Sequence, residues 1–217
     1  MKKLFLISII ILFSVKIFAD KLDLVPLKLN LPAPLFQGTG KDVKSSNLER
    51  TPLKTRKPFL IPEDYKLLSK EVEVCSSDEY PIIGETEFAI DGDKEGSDGS
   101  FVEYGPGLQY IQLNLAEESE IYAVVFWHFH SEARIYFDVV IQSADDPDFI
   151  VNIKTIFNND HDNSSGLGIG SDKEYIETNQ GKLIDGKSVK TRYLRFYSNG
   201  NTTNELNHYI EIEVYGK

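Results

Sequence analysis

Short apolar runs alternate with polar, turn-forming clusters from about residue 67 to the end of the chain. The runs are rich in Val, Ile, Tyr and Phe, and the clusters in Gly, Asn, Asp and Ser. This pattern is typical of strands joined by turns, and no 12-residue stretch has the apolar spacing of an amphipathic helix. We predict strands at residues 110–115, 121–130, 135–143, 151–157, 174–178, 192–198 and 208–216. The sequence therefore predicts an all-β fold, with long polar loops of the kind that connect the strands of a β-sandwich.

The first 65 residues differ in character from the rest of the chain. Residues 1–19 combine a basic start, a short apolar run and a small residue before Asp20, which is typical of a secretory signal peptide. An uncleaved anchor is the alternative, although the run is shorter than the roughly 20 residues of a membrane span. Residues 20–65 contain most of the nine prolines, so we predict an extended arm or linker there. The predicted domain occupies residues 66–217.

Cysteine content and charge narrow the class of protein. Cys75 is the only cysteine, so a secreted or periplasmic chain would have no internal disulfide and would depend on burial, with any bound metal, for stability. Residues 71–217 carry 28 acidic against ten basic side chains, a balance of −18. Such a domain repels nucleic acid and anionic membrane surfaces and suits neutral ligands, cations or basic partners. We expect no nucleic-acid partner and no membrane span in the mature chain.

Four stretches, in order along residues 68–216, resemble the markers of discoidin domains, also called coagulation factor V/VIII C-type domains. They are "FAIDGDKEGSDGSFVEYGPGLQYIQLNL", "FDVVIQSADDPDF", "RYLRFYSNGN" and "YIEIEVYG". The chain departs from the family pattern in a longer turn after Asp91 and in an elaborated loop at residues 158–170. The resemblance implies a galactose-binding-like jelly-roll β-sandwich, here preceded by the proline-rich arm.

The D-G-D turn that begins at Asp91 is the first candidate site. Carboxylates two residues apart on a glycine turn can direct oxygens into one pocket, and Ca²⁺ takes roughly six to eight oxygens. The resemblance implies a structural calcium here, closed by a serine downstream and by the glutamate that opens the last strand. The implied ligands are Asp91, Asp93, Ser97 or Ser100, and Glu211. The alternative is an ordinary acidic turn.

The second predicted strand ends in "WHFH", and an arginine follows at the corner. Because alternate strand residues share a face, we predict that Trp127 and Phe129 anchor the core. His128, His130 and Arg134 then turn toward solvent beside the polar loops. The resemblance implies that a loop histidine, this arginine and a stacking aromatic bind a galactose-type ligand. A guanidinium can bond vicinal hydroxyls, and an aromatic face can cover the C–H patch of a sugar.

Two other interpretations of this corner stay open. Arg134 can pair with Asp138 or Glu132, which would leave the histidines as satisfied surface groups. Two imidazoles on one strand face can also begin a zinc or iron site, which His161 and His208 could complete. An exposed aromatic beside Arg134 would favour the sugar site, and converging imidazoles would favour the metal site.

Two polar loops add candidate ligand residues. Residues 158–163 and 199–209 are rich in Asn, Asp and His, whose donors and acceptors could line a carbohydrate cleft or a second cation site. The candidates are Asn159, His161, Asn201, His208 and Tyr209. The alternative is that these side chains satisfy turns in their own backbone.

The sequence contains no nucleophile elbow, no catalytic cysteine pair and no P-loop, so we expect no enzyme activity. It predicts a secreted carbohydrate-binding module that recognises a neutral glycan or polysaccharide and holds a structural calcium. The first alternative is a protein-interaction or adhesion module that uses the arm and the acidic surface. The second is a jelly-roll metalloenzyme that uses His128 and His130.

Overall fold

The computed structural model describes residues 23–35, 43–49, 56–97 and 99–217. These residues form eleven strands and one short 3-10 helix, Thr86–Ile90. The strands are β1 Leu24–Pro26, β2 Leu60–Pro62, β3 Lys66–Leu67, β4 Glu73–Ser76, β5 Val102–Tyr104, β6 Gln109–Trp127, β7 Val140–Ala144, β8 Lys154–Asn158, β9 Lys182–Ser198, β10 Asn207–Tyr209 and β11 Glu211–Gly216. The described ranges contain no helix long and apolar enough to cross a membrane. The predicted signal peptide, residues 1–19, lies outside them.

The strands pair into one large sheet and two small ones. Neighbours in the large sheet follow the order β3-β11-β6-β9-β7-β8, and β4 pairs with the first part of β6. Strand β5 pairs with β10, and β1 pairs with β2. Every one of these pairs is antiparallel. The all-β class predicted from the sequence is confirmed.

Strand β6 joins two of the predicted strands into one. Its pairing with β9 shifts register between Asn114 and Ser119, and Ala116 within this bulge has a φ of 68°. A bulge leaves extra residues unpaired without ending the strand. The polar stretch between the two apolar runs is therefore a bulge. The strand predicted at residues 174–178 is wrong, since that segment makes only an isolated bridge.

The strand predicted at residues 135–143 is shorter in the structure and begins at Val140. Asp138 adopts a left-handed backbone conformation, with a φ of 50°, which takes the chain out of the sheet. The Val139 amide then donates to Asn159 Oδ1 at 2.7 Å instead of to a neighbouring strand. The segment between β6 and β7 therefore lies outside the sheet, and its last residue is bonded to a loop at the end of the sandwich.

The main core lies between one face of the large sheet and the β5–β10 pair. Val102 and Tyr104 of β5 and Tyr209 of β10 are fully buried there. They belong to one cluster with Phe126 of β6 and Phe196 of β9. The rings of Tyr104 and Tyr209 meet edge-on with centroids 6.4 Å apart. The apolar residues that β5, β6, β9 and β10 direct into this cluster are buried, as expected for alternate strand positions on one face.

Trp127, at the end of β6, is fully buried on the opposite face of the large sheet. Its indole Nε1 donates to the Asn179 carbonyl at 3.0 Å, and Gly181 (φ 62°) lies so close that an added Cβ would be 2.5 Å from the ring. Part of the arm covers this face through Ile61, which is 2% exposed. Phe129 is half-buried and packs against both clusters. The prediction that Trp127 anchors the core is confirmed, with both faces of the strand end buried.

Candidate functional site

Three irregular segments meet at one end of the sandwich. They are the corner (residues 128–139), the acidic loop (residues 159–170) and the asparagine loop (residues 199–206). The Phe137 amide donates to the Gly200 carbonyl at 3.0 Å, and the Asn199 amide donates to the Phe137 carbonyl at 2.9 Å. The Asn159 amide donates to the Val139 carbonyl at 3.1 Å. These backbone bonds attach both loops to the corner, so the predicted proximity of the three segments is confirmed.

The corner side chains do not face solvent. His128 and His130 are fully buried, and Arg134 is 7% exposed. His130 Nε2 lies 2.8 Å from the Lys94 carbonyl oxygen, close to the D-G-D turn. The prediction that these three side chains turn toward solvent is wrong, because His128 packs against Tyr136 and Glu177, His130 faces Lys94 and Arg134 lies against Phe129.

His128 belongs to a buried polar pair. Its Nδ1 lies 2.7 Å from Glu177 Oε1, and both side chains are fully buried. The imidazole stacks on Tyr136 with centroids 4.1 Å apart and an interplanar angle of 17°. His128 and His130 thus have different partners, and within the described ranges neither belongs to a group of three or more potential metal ligands. The geometry does not support an H-x-H metal site.

Arg134 is held by its neighbours in the corner. Its Nε and Nη2 donate to Glu132 Oε2 at 3.2 and 3.0 Å. The guanidinium carbon lies 4.6 Å from the centroid of the Phe129 ring, a cation–π distance. Pairing with Glu132, one of the two alternatives open from the sequence, is confirmed.

His208 links two further polar groups inside the protein. The Tyr136 hydroxyl and His208 Nδ1 are 2.9 Å apart, and His208 Nε2 lies 2.8 Å from Glu103 Oε2. Burial, and after it the charge of Arg134, lowers the pKa of His208 from 6.5 to about 3. The imidazole is therefore neutral at pH 7, which fits Nδ1 as acceptor from Tyr136 and Nε2 as donor to Glu103. Both ring nitrogens are occupied within the protein.

Two more of the candidate ligand residues serve the fold. Tyr209 has no exposed surface, and its hydroxyl donates to the Phe196 carbonyl at 3.0 Å. Asn201 is 5% exposed; its Nδ2 donates to the Leu206 carbonyl at 2.9 Å and its Oδ1 accepts from the Thr203 amide at 2.9 Å. Asn201 therefore satisfies its own loop, as the turn alternative predicts.

Two polar cavities flank Phe137 in the described part of the chain. The Asp138 cavity, of about 430 Å³, is lined by residues that include Phe137, Asp138, Asn159, His161, Glu174 and Asn199. The Asn201 cavity, of about 540 Å³, is lined by Phe137, Pro106, Gly107 and residues 199–205. Phe137 is 39% exposed and comes three residues after Arg134. Phe137 is thus an exposed aromatic side chain near Arg134, as expected for a sugar site. The strand predicted at residues 135–143 did not indicate that Phe137 would be exposed.

Three of the eight buried side-chain atoms without a hydrogen-bond partner among the described residues belong to residues that line the Asp138 cavity; the other five belong to His128, His130, Arg134, Tyr175 and Glu177. Asn159 is 2% exposed, and its Oδ1 is fixed by the Val139 amide, so the direction of its Nδ2 is fixed as well. Asn159 Nδ2, His161 Nε2 and Glu174 Oε2 are buried atoms with no hydrogen-bond partner among the described residues. Because buried polar atoms without partners cost free energy, such atoms around one cavity mark a place for a ligand or water. Of the residues selected from the sequence, Asn159 and His161 line this cavity.

The acidic loop and the corner bring three carboxylates together. One ligand atom each from Asp138, Asp160 and Asp162 lies within 4.8 Å of the other two. Asp160 is fully buried; burial opposes its ionisation, but hydrogen bonds from Ser165 and Ser164 outweigh that effect and lower its pKa. Burial raises the pKa of Asp138. The sequence predicted a possible second cation site in this loop without indicating Asp138.

The predicted calcium turn meets the last strand. The Gly92 amide donates to Glu211 Oε2 at 3.0 Å, and Asp91 and Glu211 line one cavity of about 260 Å³. Burial raises the pKa of Glu211 to about 8. The side chains of Asp93 and Ser100 bond to neighbours within the turn instead. Asp91 Oδ1 likewise accepts from the Asp93 amide at 2.7 Å, so what distinguishes Asp91 and Glu211 is the cavity that they share.

A comparison of the sequence with protein-family models found no match, and a comparison with curated proteins also found none. The fold is similar to those of solved carbohydrate-active proteins. The CBM32 module of AlyQ, in complex with 4,5-unsaturated mannuronic acid, gives a TM-score of 0.50 at 18% identity over 67% of this chain and 95% of that one.

Two further solved structures have the same fold. A labelled mutant of chitosan-binding module 1 from a Paenibacillus chitosanase/glucanase gives a TM-score of 0.51 at 19% identity, over 69% of this chain and 98% of that one. The family 89 glycoside hydrolase from Clostridium perfringens gives 0.52 at 18% identity, over 70% of this chain but 14% of that enzyme. The chain therefore has the galactose-binding-like β-sandwich fold that the discoidin resemblance implied.

Proposed function

We propose that this protein is a non-catalytic carbohydrate-binding module whose site surrounds Phe137 at the loop end of the sandwich. The ligand is a neutral glycan or polysaccharide, held in the Asp138 and Asn201 cavities on either side of the ring. The observation that carries this proposal is an accessible aromatic side chain between two polar cavities. Two proteins with a similar fold are named as carbohydrate-binding modules, which supports carbohydrate binding in general.

Phe137 is suited to stack on a sugar ring. Its backbone amide and carbonyl are bonded to the asparagine loop, so the main chain that carries the ring is fixed next to both cavities before a ligand arrives. Preorganisation of this kind reduces the entropy lost on binding. An aromatic face covers the C–H surface of a sugar, while the surrounding polar groups bond its hydroxyls.

The polar groups of the Asp138 cavity match hydroxyl ligands. Asn159 Nδ2 is a donor, Glu174 Oε2 is an acceptor, and His161 Nε2 can act as either. A sugar hydroxyl both donates and accepts, so it can satisfy groups of either kind. None of the described residues that line this cavity is Lys or Arg and three are acidic, so the lining offers no Lys or Arg side chain to pair with an anionic sugar. The lining therefore favours a neutral glycan.

A glycan array probed with the full chain tests this function. Replacement of Phe137 by Ala should weaken binding about two- to thirteenfold, because aromatic stacking contributes about 0.5–1.5 kcal/mol beyond area burial. Ile150→Ala is the matched control, since Ile150 is 75% exposed and lines neither cavity. An array without any bound glycan, or equal affinities for the Phe137 and Ile150 variants, would contradict the proposal.

Calcium at the D-G-D turn is part of the same proposal. Asp91 and Glu211 would supply carboxylate oxygens, and Lys94, whose Nζ is 2.6 Å from Glu213 Oε1, balances the next acidic group on the last strand. A ligand bound only by the native state stabilises it by about 2.7 kcal/mol at a hundredfold excess over its dissociation constant. The melting temperature should fall on chelation, and Asp91→Ala should reduce that sensitivity. Equal melting temperatures with and without chelator would exclude the ion.

The proposal also includes the route of the chain out of the cytoplasm. Residues 1–19 would be a signal peptide removed near Ala19, residues 20–65 an arm, and residues 66–217 the binding domain of a secreted or periplasmic protein. The arm also offers a surface for a protein partner. N-terminal sequencing of the exported protein tests the cleavage, and a chain that still starts at Met1 would contradict it.

A further inference from the structure

We infer that Asp138, Asp160 and Asp162 bind a calcium ion in the wall of the Asp138 cavity. This site differs in every residue from the D-G-D turn. It is formed by two segments that are distant in sequence, the corner and the acidic loop. Its ion binding does not depend on whether the protein binds a glycan.

The spacing of the three carboxylates suits one ion. Their ligand atoms all lie within 4.8 Å of one another. Calcium–oxygen distances of 2.3–2.6 Å place oxygens on opposite sides of an ion roughly 4.6–5.2 Å apart. Three oxygen donors and no sulfur or nitrogen in the set favour a hard cation such as Ca²⁺.

The charges of these carboxylates are not balanced by protein cations. Three acidic groups lie in one small region, and none of the salt bridges of the described residues involves any of them. Like charges at this distance repel each other, most strongly where burial lowers the dielectric constant. A divalent cation between them would turn this repulsion into attraction.

The three carboxylates differ in the hydrogen bonds that they accept. Both oxygens of Asp160 accept hydrogen bonds from within the acidic loop, from the amides of Asp162, Ser164 and Ser165 and from the Ser165 hydroxyl. Asp138 Oδ1 and Asp162 Oδ2 accept none from the described residues. Asp160 therefore orders the loop, while the other two keep oxygens available for an ion.

Asn159 gives an independent indication of a ligand in the same cavity. It is 98% buried, and its Nδ2 has no partner among the described residues. Its Oδ1 is fixed by the Val139 amide, so rotation of the amide group cannot relieve the unpartnered donor without breaking that bond. A buried donor requires an acceptor. The oxygens that complete a calcium shell, from water or from a bound ligand, would supply one.

Calorimetric titration of the full chain with calcium chloride alone tests the inference. The Asp91→Asn variant removes the D-G-D turn from the measurement and should still bind calcium. Adding Asp162→Asn to it should weaken that binding about tenfold or more, because calcium affinity depends on the number of charged ligands. Asp162→Asn keeps the oxygen that accepts from the Ser164 amide, so the loop should remain folded.

Two further variants make the result decisive. Asp138→Asn, in the other segment, should reproduce the loss in the Asp91→Asn background. Asp148→Asn removes an exposed carboxylate outside the site and should leave the titration unchanged. The inference is overturned if Asp91→Asn binds no calcium, or if its affinity is the same with and without Asp162→Asn while circular dichroism shows both folded.

Discussion

Two groups of polar side chains lie close together at one end of the sandwich, yet only one of them lines a cavity. The residues His128, His130 and Arg134 are at most 7% exposed, and none of them lines the Asp138 or the Asn201 cavity. Asn159 and His161 line the Asp138 cavity, and both groups contain buried atoms without a hydrogen-bond partner among the described residues. Residue type alone indicated both regions as ligand sites. The difference shows that access to a cavity, rather than a crowd of functional side chains, separates a candidate site from a polar part of the core.

The largest expected effect is the loss of stability caused by replacing Trp127, which lies next to the corner. Trp127→Ala should lower the free energy of unfolding by about 3–5 kcal/mol, because it leaves a large cavity between the sheet and the arm. Urea denaturation measures the loss. Tyr80→Ala is the control, since Tyr80 is 84% exposed and surface substitutions usually cost within about 0.5 kcal/mol. A loss as small as that of the control would mean that the arm does not cover this face.

His208, whose imidazole is bonded to Tyr136 of the corner, should make the stability of the protein sensitive to acid. His208 has a pKa of about 3 in the folded protein against an ordinary value of 6.5, so the unfolded chain binds the extra proton between these values. The contribution of His208 to the free energy of unfolding is complete above pH 6.5. It decreases as the pH falls toward 3, by at most about 1.4 kcal/mol per pH unit. Unfolding measured from pH 7 to pH 4 should be less steeply pH-dependent in His208→Gln. Parallel curves for the two proteins would contradict a buried neutral imidazole.

Arg134 separates the two interpretations of the corner. Arg134→Ala should cost about 2 kcal/mol, since it removes a desolvated cation–π contact together with an ion pair. Binding of glycan by the protein that remains folded should not change. Arg192→Ala, at an exposed arginine, is the matched control for melting. If Arg134→Ala abolished glycan binding and left the melting temperature unchanged, Arg134 would be a ligand-binding residue.

The smallest effect on stability is expected in the cavity itself. His161→Ala should change the free energy of unfolding by no more than about 0.5 kcal/mol, because its Nε2 has no partner to lose. The same change should weaken glycan binding if the imidazole bonds a hydroxyl. Melting and glycan titration of one preparation measure both. If His161→Ala destabilised the protein markedly and left its glycan affinity unchanged, His161 would be a structural residue like those of the corner.

Local pattern was a good guide to strands and a poor guide to their ends. The apolar alternation correctly predicted β7, β8 and β11 and both halves of β6, because the strand period is a property of neighbouring residues. It extended one strand too far back, to residue 135, since nothing in "IYFDVV" signals the left-handed conformation of Asp138. It also missed β5, three residues long, whose place depends on pairing with β10.

By itself, the sequence determined the all-β class and the general region of the polar loops, because alternation and turn residues are local features of the chain. The galactose-binding-like fold was predicted from stretches that resemble those of discoidin domains, which are also local. Only the tertiary structure decided which polar residues can reach a ligand. The partner of His128 is Glu177, 49 residues away, and the amide that fixes Asn159 belongs to Val139, 20 residues away. No local spacing encodes such pairs. Burial of the first residue and the cavity beside the second depend on how distant loops close over the end of the sheet.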